Sequence, residues 1–343
     1  MRPTLETVPP WTLRYEPRGR ARGHVESYFL RLTDPPGRRA LWLKCTVFAA
    51  KGAPSTEARA EAWAIAFDRD HGHVAHKATE PLARARFPTA RGNPPLDVEV
   101  AGCAMTERRV RGALGDVSWD FTLESRAPAV YLLSSSFVYD APLGSSRPIT
   151  GMPDVIATGT VTVRGRTWSV DGWRGSVQHN WGPRHTHLYA WAQVSTWDEG
   201  VGFSPDGASD LFFEAGSGRL AVGPLVMPPL TFVCVRWRGV RYDWNGPLDL
   251  ARARAEIGPR AWILRATGPM GTVEAELCAE TEDFVGLTYA NPSGPPTYCL
   301  NSKLASARVT LSVSGRRPVT VCSRTAAFEI GTHDPNHGVR LLA

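Results

Sequence analysis

The stretch Thr167–Trp197, TWSVDGWRGSVQHNWGPRHTHLYAWAQVSTW, concentrates the side chains on which the reading of this chain turns. Five of the 12 tryptophans fall inside it (Trp168, Trp173, Trp181, Trp191, Trp197), as do three of the 9 histidines (His179, His185, His187). Asp171-Gly172, Arg174-Gly175-Ser176 and Gly182-Pro183 read as a turn-rich segment between two strand-like pieces, because glycine reaches backbone conformations that other residues resist. Large rings with polar residues between them suit the wall of a small-molecule pocket. Tryptophans of an all-β protein also serve as ordinary core, and both readings stand for each ring.

Outward from this stretch the text is strand-like. Thr160–Val163 alternates, Arg164-Gly165-Arg166 turns and Thr167–Val170 returns, a hairpin pattern. Near the start, HVESYFLRL and ALWLKCTVFAA flank a turn at Asp34-Pro35-Pro36-Gly37 and predict a second hairpin. Glu26 and Lys44 put charge into these apolar runs. Either they face solvent, or they point into an enclosed space, where an isolated charge is costly and usually functional. EARAEAWAIAF at 57–67 mixes helix formers with the alternation of Trp63, Ile65 and Phe67, and the turn that follows favours a strand. His71, His73 and His76, in or after that turn, make no complete ligand set and read as a solvated loop.

Short strands are expected over 96–101, 117–124, 130–139, 189–196, 211–214, 220–222, 231–237, 240–244, 261–266 and 272–279, with a C-terminal hairpin around SGRRP. A long connection is expected over 140–155 and a loop over 204–210. Helical periodicity is scarce. Many short strands at even spacing predict barrels or sandwiches. Two sets of strands suit two barrels, at 10–183 and 184–343, and an eight-stranded barrel can hold one small ligand.

Composition bounds the function. A chain of 343 residues, 43% hydrophobic and 21% charged, can bury a normal core. The net charge of +6 is an arginine excess, because only Lys44, Lys51, Lys77 and Lys303 are lysines. The arginines lie in scattered pairs (Arg38-Arg39, Arg108-Arg109, Arg316-Arg317), without a basic helix or aromatic-basic ladder, which argues against nucleic acid. The positive field is compatible with anionic substrates or with lipid headgroups at a peripheral membrane contact. The six cysteines lack metal-ligand spacing and sit mostly in apolar runs, so buried free thiols are expected. No run of 18 apolar residues spans a membrane, and Met1–Arg20 lacks a signal-peptide core. A cytoplasmic location is expected; the oligomeric state is open.

Gly172-Trp173-x-Gly175-Ser176-x-x-His179-Asn180-Trp181-Gly182 resembles the W-x-G-S-x-x-H-N-W-G signature of the carotenoid 1,2-hydratase (hydroxyneurosporene synthase) and AttH-like group. These are double-lipocalin proteins, distantly similar to tocopherol cyclases. Glu26–Phe29 and Ala40–Lys44 resemble that group's first strands, and Cys299–Ser302 its second barrel. The resemblance implies an all-β fold of two lipocalin-like antiparallel barrels in tandem, with the signature near their junction. It also implies catalytic roles for His179 and Trp181, the counterparts of residues implicated in the carotenoid hydratases. Those enzymes use a downstream Tyr-x-Asp pair; here Trp197-Asp198 and Asp206 stand in that region.

Hydrating or cyclising an alkene needs a proton donor and a wall that tolerates a carbocation. Burial makes a carboxyl group a donor by raising its pKa, and aromatic faces attract cations, tryptophan most. The expected catalytic set is His179 and Trp181, with Glu26, Asp198 and Asp171 as candidate acids. The expected substrate-binding set is Trp173, Gln178, Asn180, Tyr189 and Trp191. No metal or cofactor is expected. No Gly-rich phosphate loop or Gly-x-Ser-x-Gly elbow is present, and no acid follows His185-x-His187 closely. The expected function is a cofactor-independent hydratase, cyclase or isomerase of a hydrophobic isoprenoid or polyene natural product held at the barrel junction. The alternatives are a carrier of a hydrophobic small molecule, which needs the cavity but no acid, and a pericyclase-like enzyme, which needs shape more than a proton.

Overall fold

Two antiparallel sheets carry nearly all of the regular structure. The computed structural model describes residues 8–17, 23–89, 92–125, 127–140, 145–198, 211–219, 221–222, 225–226 and 228–343; the loop expected at 204–210 lies outside them. The first sheet contains β1 (His24–Thr33), β2 (Arg39–Ala49), β3 (Arg59–Asp68), β4 (Val74–Pro81), β5 (Asp97–Val100), β6 (Cys103–Thr106), β7 (Arg109–Leu114), β8 (Val117–Ser125), β9 (Val130–Tyr131), β10 (Arg147–Val163) and β11 (Arg166–Gly182). Its order is β4-β3-β2-β1-β11-β10-β8-β7-β6-β5, with β9 beside β10.

The second sheet contains β12 (Leu188–Val194) and β13 (Leu211–Arg219) and, after the small pair β14 (Ala221–Val222) and β15 (Leu225–Val226), β16 (Leu230–Trp237), β17 (Val240–Trp244), β18 (Arg254–Ile257), β19 (Ala261–Gly268), β20 (Gly271–Cys278), β21 (Val285–Tyr289), β22 (Thr297–Val313) and β23 (Val319–Thr332). Its order is β17-β16-β13-β12-β23-β22-β20-β19-β18, with β21 beside β22. The two orders repeat one connectivity. In each sheet the first strand lies between the second and the last, β1 between β2 and β11, β12 between β13 and β23. The first sheet forms a nearly closed barrel and the second a half-barrel, a tandem of lipocalin-like barrels.

Burial tells the walls apart. β8 buries Val117, Trp119, Phe121 and Leu123 and exposes Ser118, Asp120, Thr122 and Glu124, as a strand does with one face on the core and one in water. β1 and β2 do not alternate; almost every residue is buried. Successive side chains point to opposite faces. Tyr28, Leu30 and Leu32 therefore enter the first barrel's core, while Phe29 and Arg31 face the second barrel, where Arg31 bonds Gln193. β12 mirrors this, with Ala190, Ala192 and Val194 in the second core. Glu26 and Lys44 thus face enclosed space.

The central stretch corrects the expected turn-rich segment. Arg166–Gly182 is one strand of 17 residues, paired with β1 and β10. Gly172, at φ 66°, sits at a register shift opposite Ala157 and Thr158, so Asp171-Gly172 is a β-bulge within the strand. Gly175 has a different reason: a Cβ there would stand 1.7 Å from the Arg31 carbonyl oxygen. β10 likewise runs through the second half of the span expected as an open connection. Residues 130–139 form β9 and the start of a short helix, α1 (Ser136–Asp140). Cys45, Cys103, Cys234 and Cys299 are buried, whereas Cys278 and Cys322 take outward positions and are exposed. No helix among the described residues is long and apolar enough to cross a membrane.

Candidate functional site

The barrels hold between them a cavity of about 290 Å³, at the lower end of small-molecule sites. Phe29, Trp42, Trp181, Trp191, Phe232 and Tyr289 supply its aromatic wall, and Lys44, Gln178, Asn180 and Glu329 are among its polar groups. Strand register explains the lining. Gln178, Phe29, Lys44 and Trp63 stand side by side across β11, β1, β2 and β3. Opposite them, Trp191, Glu329 and Asn301 stand side by side across β12, β23 and β22. The Tyr189 ring lies over Gly331, where a Cβ would meet it at 1.9 Å.

One end of the cavity is charged. Lys303, fully buried, donates to Glu329 Oε1 at 2.8 Å and to Asn301 Oδ1 at 2.7 Å, and Asn301 Nδ2 donates to the same Glu329 oxygen at 3.1 Å. Burial pulls the Lys303 ammonium below the usual lysine range, with Glu329 opposing. Lys44 Nζ lies 3.8 Å from the Tyr289 ring centroid, with Trp42 and Trp63 at 5.5 and 5.7 Å. Burial brings it down to about 8, against the charge of Glu329. The His185 ring stacks on Tyr289 at 5.0 Å. Burial, then the charges of Lys44 and His333, lower His185 to about 3, so it is neutral.

A second enclosed acid lies behind the wall. Glu214 accepts from Thr150 Oγ1 at 2.7 Å and from the indole of Trp191 at 3.1 Å. Burial raises its carboxyl to about 7, more than the hydrogen bonds of Thr150 and Trp191 and the Arg31 charge lower it. Arg31 reaches across the junction to Gln193 Oε1 at 2.9 Å and Ser195 Oγ at 3.0 Å.

The residues expected at a site divide into three groups. Gln178, Asn180, Trp181, Tyr189 and Trp191 line the cavity. Asn180 also fixes the entry to β10, its Oδ1 accepting from Ser146 Oγ at 2.6 Å and from the Arg147 amide at 3.2 Å. Trp173 does not reach the cavity; it stacks on Trp168 at 6.1 Å in the first barrel's core, because past the bulge it falls on the inward face of β11. Asp198 is a surface group paired with Arg324 at 3.1 Å, and Asp171 is exposed.

His179 and Glu26 come together, but neither lines the cavity; His179 stands one ring behind its wall, beside Trp181 at 4.8 Å. His179 is wholly buried and stacks on Tyr28 at 4.2 Å. Its Nδ1 donates to the Pro10 carbonyl and its Nε2 meets Glu26 Oε1, both at 2.7 Å. Glu26 also accepts from the Arg14 amide at 2.9 Å and the Tyr28 hydroxyl at 3.1 Å, and meets His24 at 2.8 Å. The cluster clasps the segment at residues 10–14 to the barrel. Burial alone would raise the Glu26 carboxyl, but the bonds and charges of His179 and His24 outweigh it and hold it at about 2. Glu26 is thus a standing carboxylate and not the raised acid that alkene protonation calls for.

The acids that are enclosed at the junction, Glu214 and Glu329, carry a sequence signal of their own. LFFEAG (211–216) and AAFEIG (326–331) each place an acid in an apolar strand with glycine two residues later, on the same face. His185 and His187 precede β12; His187 lies beside His333 at 4.8 Å. Among the described residues no group of three or more His, Cys, Asp or Glu is placed to hold a metal ion.

The chain thus has a double-lipocalin fold, AttH-like in architecture. No known family profile matches the chain. Two uncharacterized proteins of Mycobacterium tuberculosis, MT0513 of strain CDC 1551 / Oshkosh and Rv0493c of strain ATCC 25618 / H37Rv, are each 28% identical over 295 residues, which is 85% of this chain and 82% of theirs. A protein of Nitrosomonas europaea with a provisional AttH assignment matches in structure with a TM-score of 0.54 at 13% identity, over 96% of this chain and 99% of that one. Kievitone hydratase from Nectria haematococca matches with a TM-score of 0.52 at 12% identity, over 97% of this chain and 96% of that one.

Proposed function

We propose that the chain is a hydratase-type enzyme, working without a cofactor on a compact hydrophobic substrate held between the barrels. Glu329 carries this reading. It lines a cavity with an aromatic wall and is held at Oε1 by Lys303 and Asn301, while among the described residues Oε2 has only the Cys299 thiol, 3.7 Å away. A carboxylate so placed relays a proton from the Lys303 ammonium, which donates to it, to one alkene carbon, leaving positive charge on the neighbouring carbon; water then bonds to that carbon and gives a proton back to the Glu329–Lys303 pair. The net change is addition of H and OH, and the carboxylate is regenerated. The faces of Trp42 and Trp191 stabilise positive charge that develops on carbon. Cyclisation or isomerisation of the same substrate would use the same proton transfer, with an internal nucleophile or proton loss replacing water. The cavity volume favours a compact isoprenoid or aromatic skeleton over a long polyene. The shared fold with a kievitone hydratase agrees with this reading.

A carrier needs the same walls but no acid inside them. The test is a panel of compact prenylated and terpenoid alkenes incubated in ¹⁸O-labelled water. The expected product gains one labelled water, and Glu329→Gln slows its formation by about 100-fold or more while binding persists. Tight retention of unchanged panel members, with no product, would assign a carrier.

A further inference from the structure

We infer that the cavity takes an acidic ligand, a compact hydrophobic molecule whose carboxylate pairs with Lys44. The inference concerns the same cavity as the proposed function, rests on that placement of the ligand, and narrows its class. Lys44 is 5% exposed and lines the cavity. Its ammonium makes no hydrogen bond or ion pair with any described residue. Its neighbours are the faces of Tyr289, Trp42 and Trp63.

The charged and titratable groups around Lys44 are all engaged or neutral. Glu61, on β3, pairs with Lys77 at 3.0 Å and Arg59 at 3.1 Å and accepts from Trp63 Nε1 at 3.2 Å. Glu329, on β23, is taken by Lys303. The Cys299 thiol, on β22, is pushed up to about 12, chiefly by burial, and is neutral. Burial also raises the Tyr289 phenol and keeps it neutral, and His185 is neutral as described. Four cations, Lys44, Arg59, Lys77 and Lys303, therefore share two carboxylates, and the exposed Arg184 adds a fifth positive charge at the rim. A buried ammonium without an anion is costly, and ring faces return only part of that cost. A ligand carboxylate supplies the missing counter-ion as a charge-assisted hydrogen bond. The Tyr289 hydroxyl, on the ring that Lys44 caps, is buried with no partner among the described residues but the weakly bonding Cys299 thiol, and is a second donor. The rest of the lining, Phe29, Trp191, Leu230 and Phe232, suits an apolar body.

The test compares 1-naphthoic acid with 1-naphthalenemethanol, the same skeleton without the charge, by quenching of tryptophan fluorescence. The acid is expected to bind the unaltered protein at least about tenfold more tightly at pH 7. The preference is expected to fade as pH rises past about 8, where Lys44 loses its proton. Lys44→Met is expected to bind acid and alcohol alike. Equal affinities for acid and alcohol in the unaltered protein overturn the inference, whether or not the variant folds. An acid preference that survives in folded Lys44→Met also overturns it, by moving recognition to another cation such as Arg184. Acid-selective binding without turnover leaves this inference standing and removes the hydratase reading. Hydration of neutral alkenes with no acid preference does the reverse.

Discussion

His179 Nε2 lies 2.7 Å from Glu26 Oε1 in a pair from which solvent is wholly excluded. Nδ1 faces a backbone carbonyl, which can only accept, so that nitrogen carries a hydrogen. The pair therefore holds its remaining proton between Nε2 and the carboxylate. Removing one partner of such a pair strands the other. His179→Ala is expected to cost about 3–5 kcal/mol of stability, read by chemical denaturation. Ligand binding at the junction is expected to persist in whatever fraction stays folded. A variant that keeps full stability and binding but loses turnover would return His179 to the chemistry.

Glu26 adds a pH signature. Its folded pKa of about 2 lies below the ordinary 4.5. Its contribution is therefore present above about pH 4.5 and is lost as pH falls toward 2. Glu26→Gln is expected to flatten the stability profile across that window, measured by thermal melting. An unchanged acid limb would locate the acid sensitivity elsewhere.

How much of this is legible in the sequence depends on what each strand faces. β8 reads directly, because one face is in water and Val117, Trp119, Phe121 and Leu123 alternate with polar residues. β1 and β2 lack that alternation because both faces are enclosed, and there the charges Glu26 and Lys44 are the informative letters. A period of two places His179 and Gln178 on opposite faces, but not on the side with the ligand space, because neither side meets water. Glycine misleads in the signature segment: Gly172 takes a positive φ inside a bulge, and Gly175 lets two strands approach within an extended run. Asp198 misleads because it follows the buried Trp197, yet the strand has already ended and its carboxylate turns outward.

Gly331 tests the cavity wall. A Cβ there would lie 1.9 Å from Tyr189 Cε1, so the ring must move from its seat at the cavity. Gly331→Ala is expected to weaken naphthoic acid binding about tenfold or more, at a stability cost of about 1–3 kcal/mol typical of overpacking. Calorimetric titration beside a denaturation curve separates the two effects. Unaltered affinity would show that Tyr189 is not part of the binding surface.

Glu214 reports on the junction from behind Trp191. Its folded pKa of about 7 lies above the ordinary 4.5. The protonated form is thus favoured in the fold, and that contribution is complete below about pH 4.5 and lost as pH rises through 7. Glu214→Gln keeps an acceptor for Trp191 Nε1 and removes the ionisation. It is expected to be more stable than the parent at pH 8 by on the order of 2 kcal/mol, with little difference at pH 5. Equal stabilities at pH 8 would mean that Arg31 already compensates the carboxylate.

Lys44 should reveal a trade between stability and binding. Its folded pKa of about 8 lies below the ordinary 10.5. Between those values the unfolded chain binds more protons than the folded one, so this group makes stability rise with pH there. Below about pH 8 the ammonium is present in the fold at its full cost. Lys44→Met keeps an unbranched apolar side chain among Trp42, Trp63 and Tyr289 and removes the charge. Replacing a buried charge by a packed apolar group is commonly stabilising, here expected at about 1–3 kcal/mol at pH 7. The gain is expected to shrink as pH rises from 8 toward 10, because the parent then loses the same charge by deprotonation. A bound carboxylate should do for the parent what the substitution does for the variant. Naphthoic acid is therefore expected to raise the parent's melting temperature at pH 7 and to leave that of Lys44→Met nearly unchanged. A variant less stable than the parent at every pH would mean that the three aromatic faces already satisfy the ammonium, and that the cavity has no need of an anion.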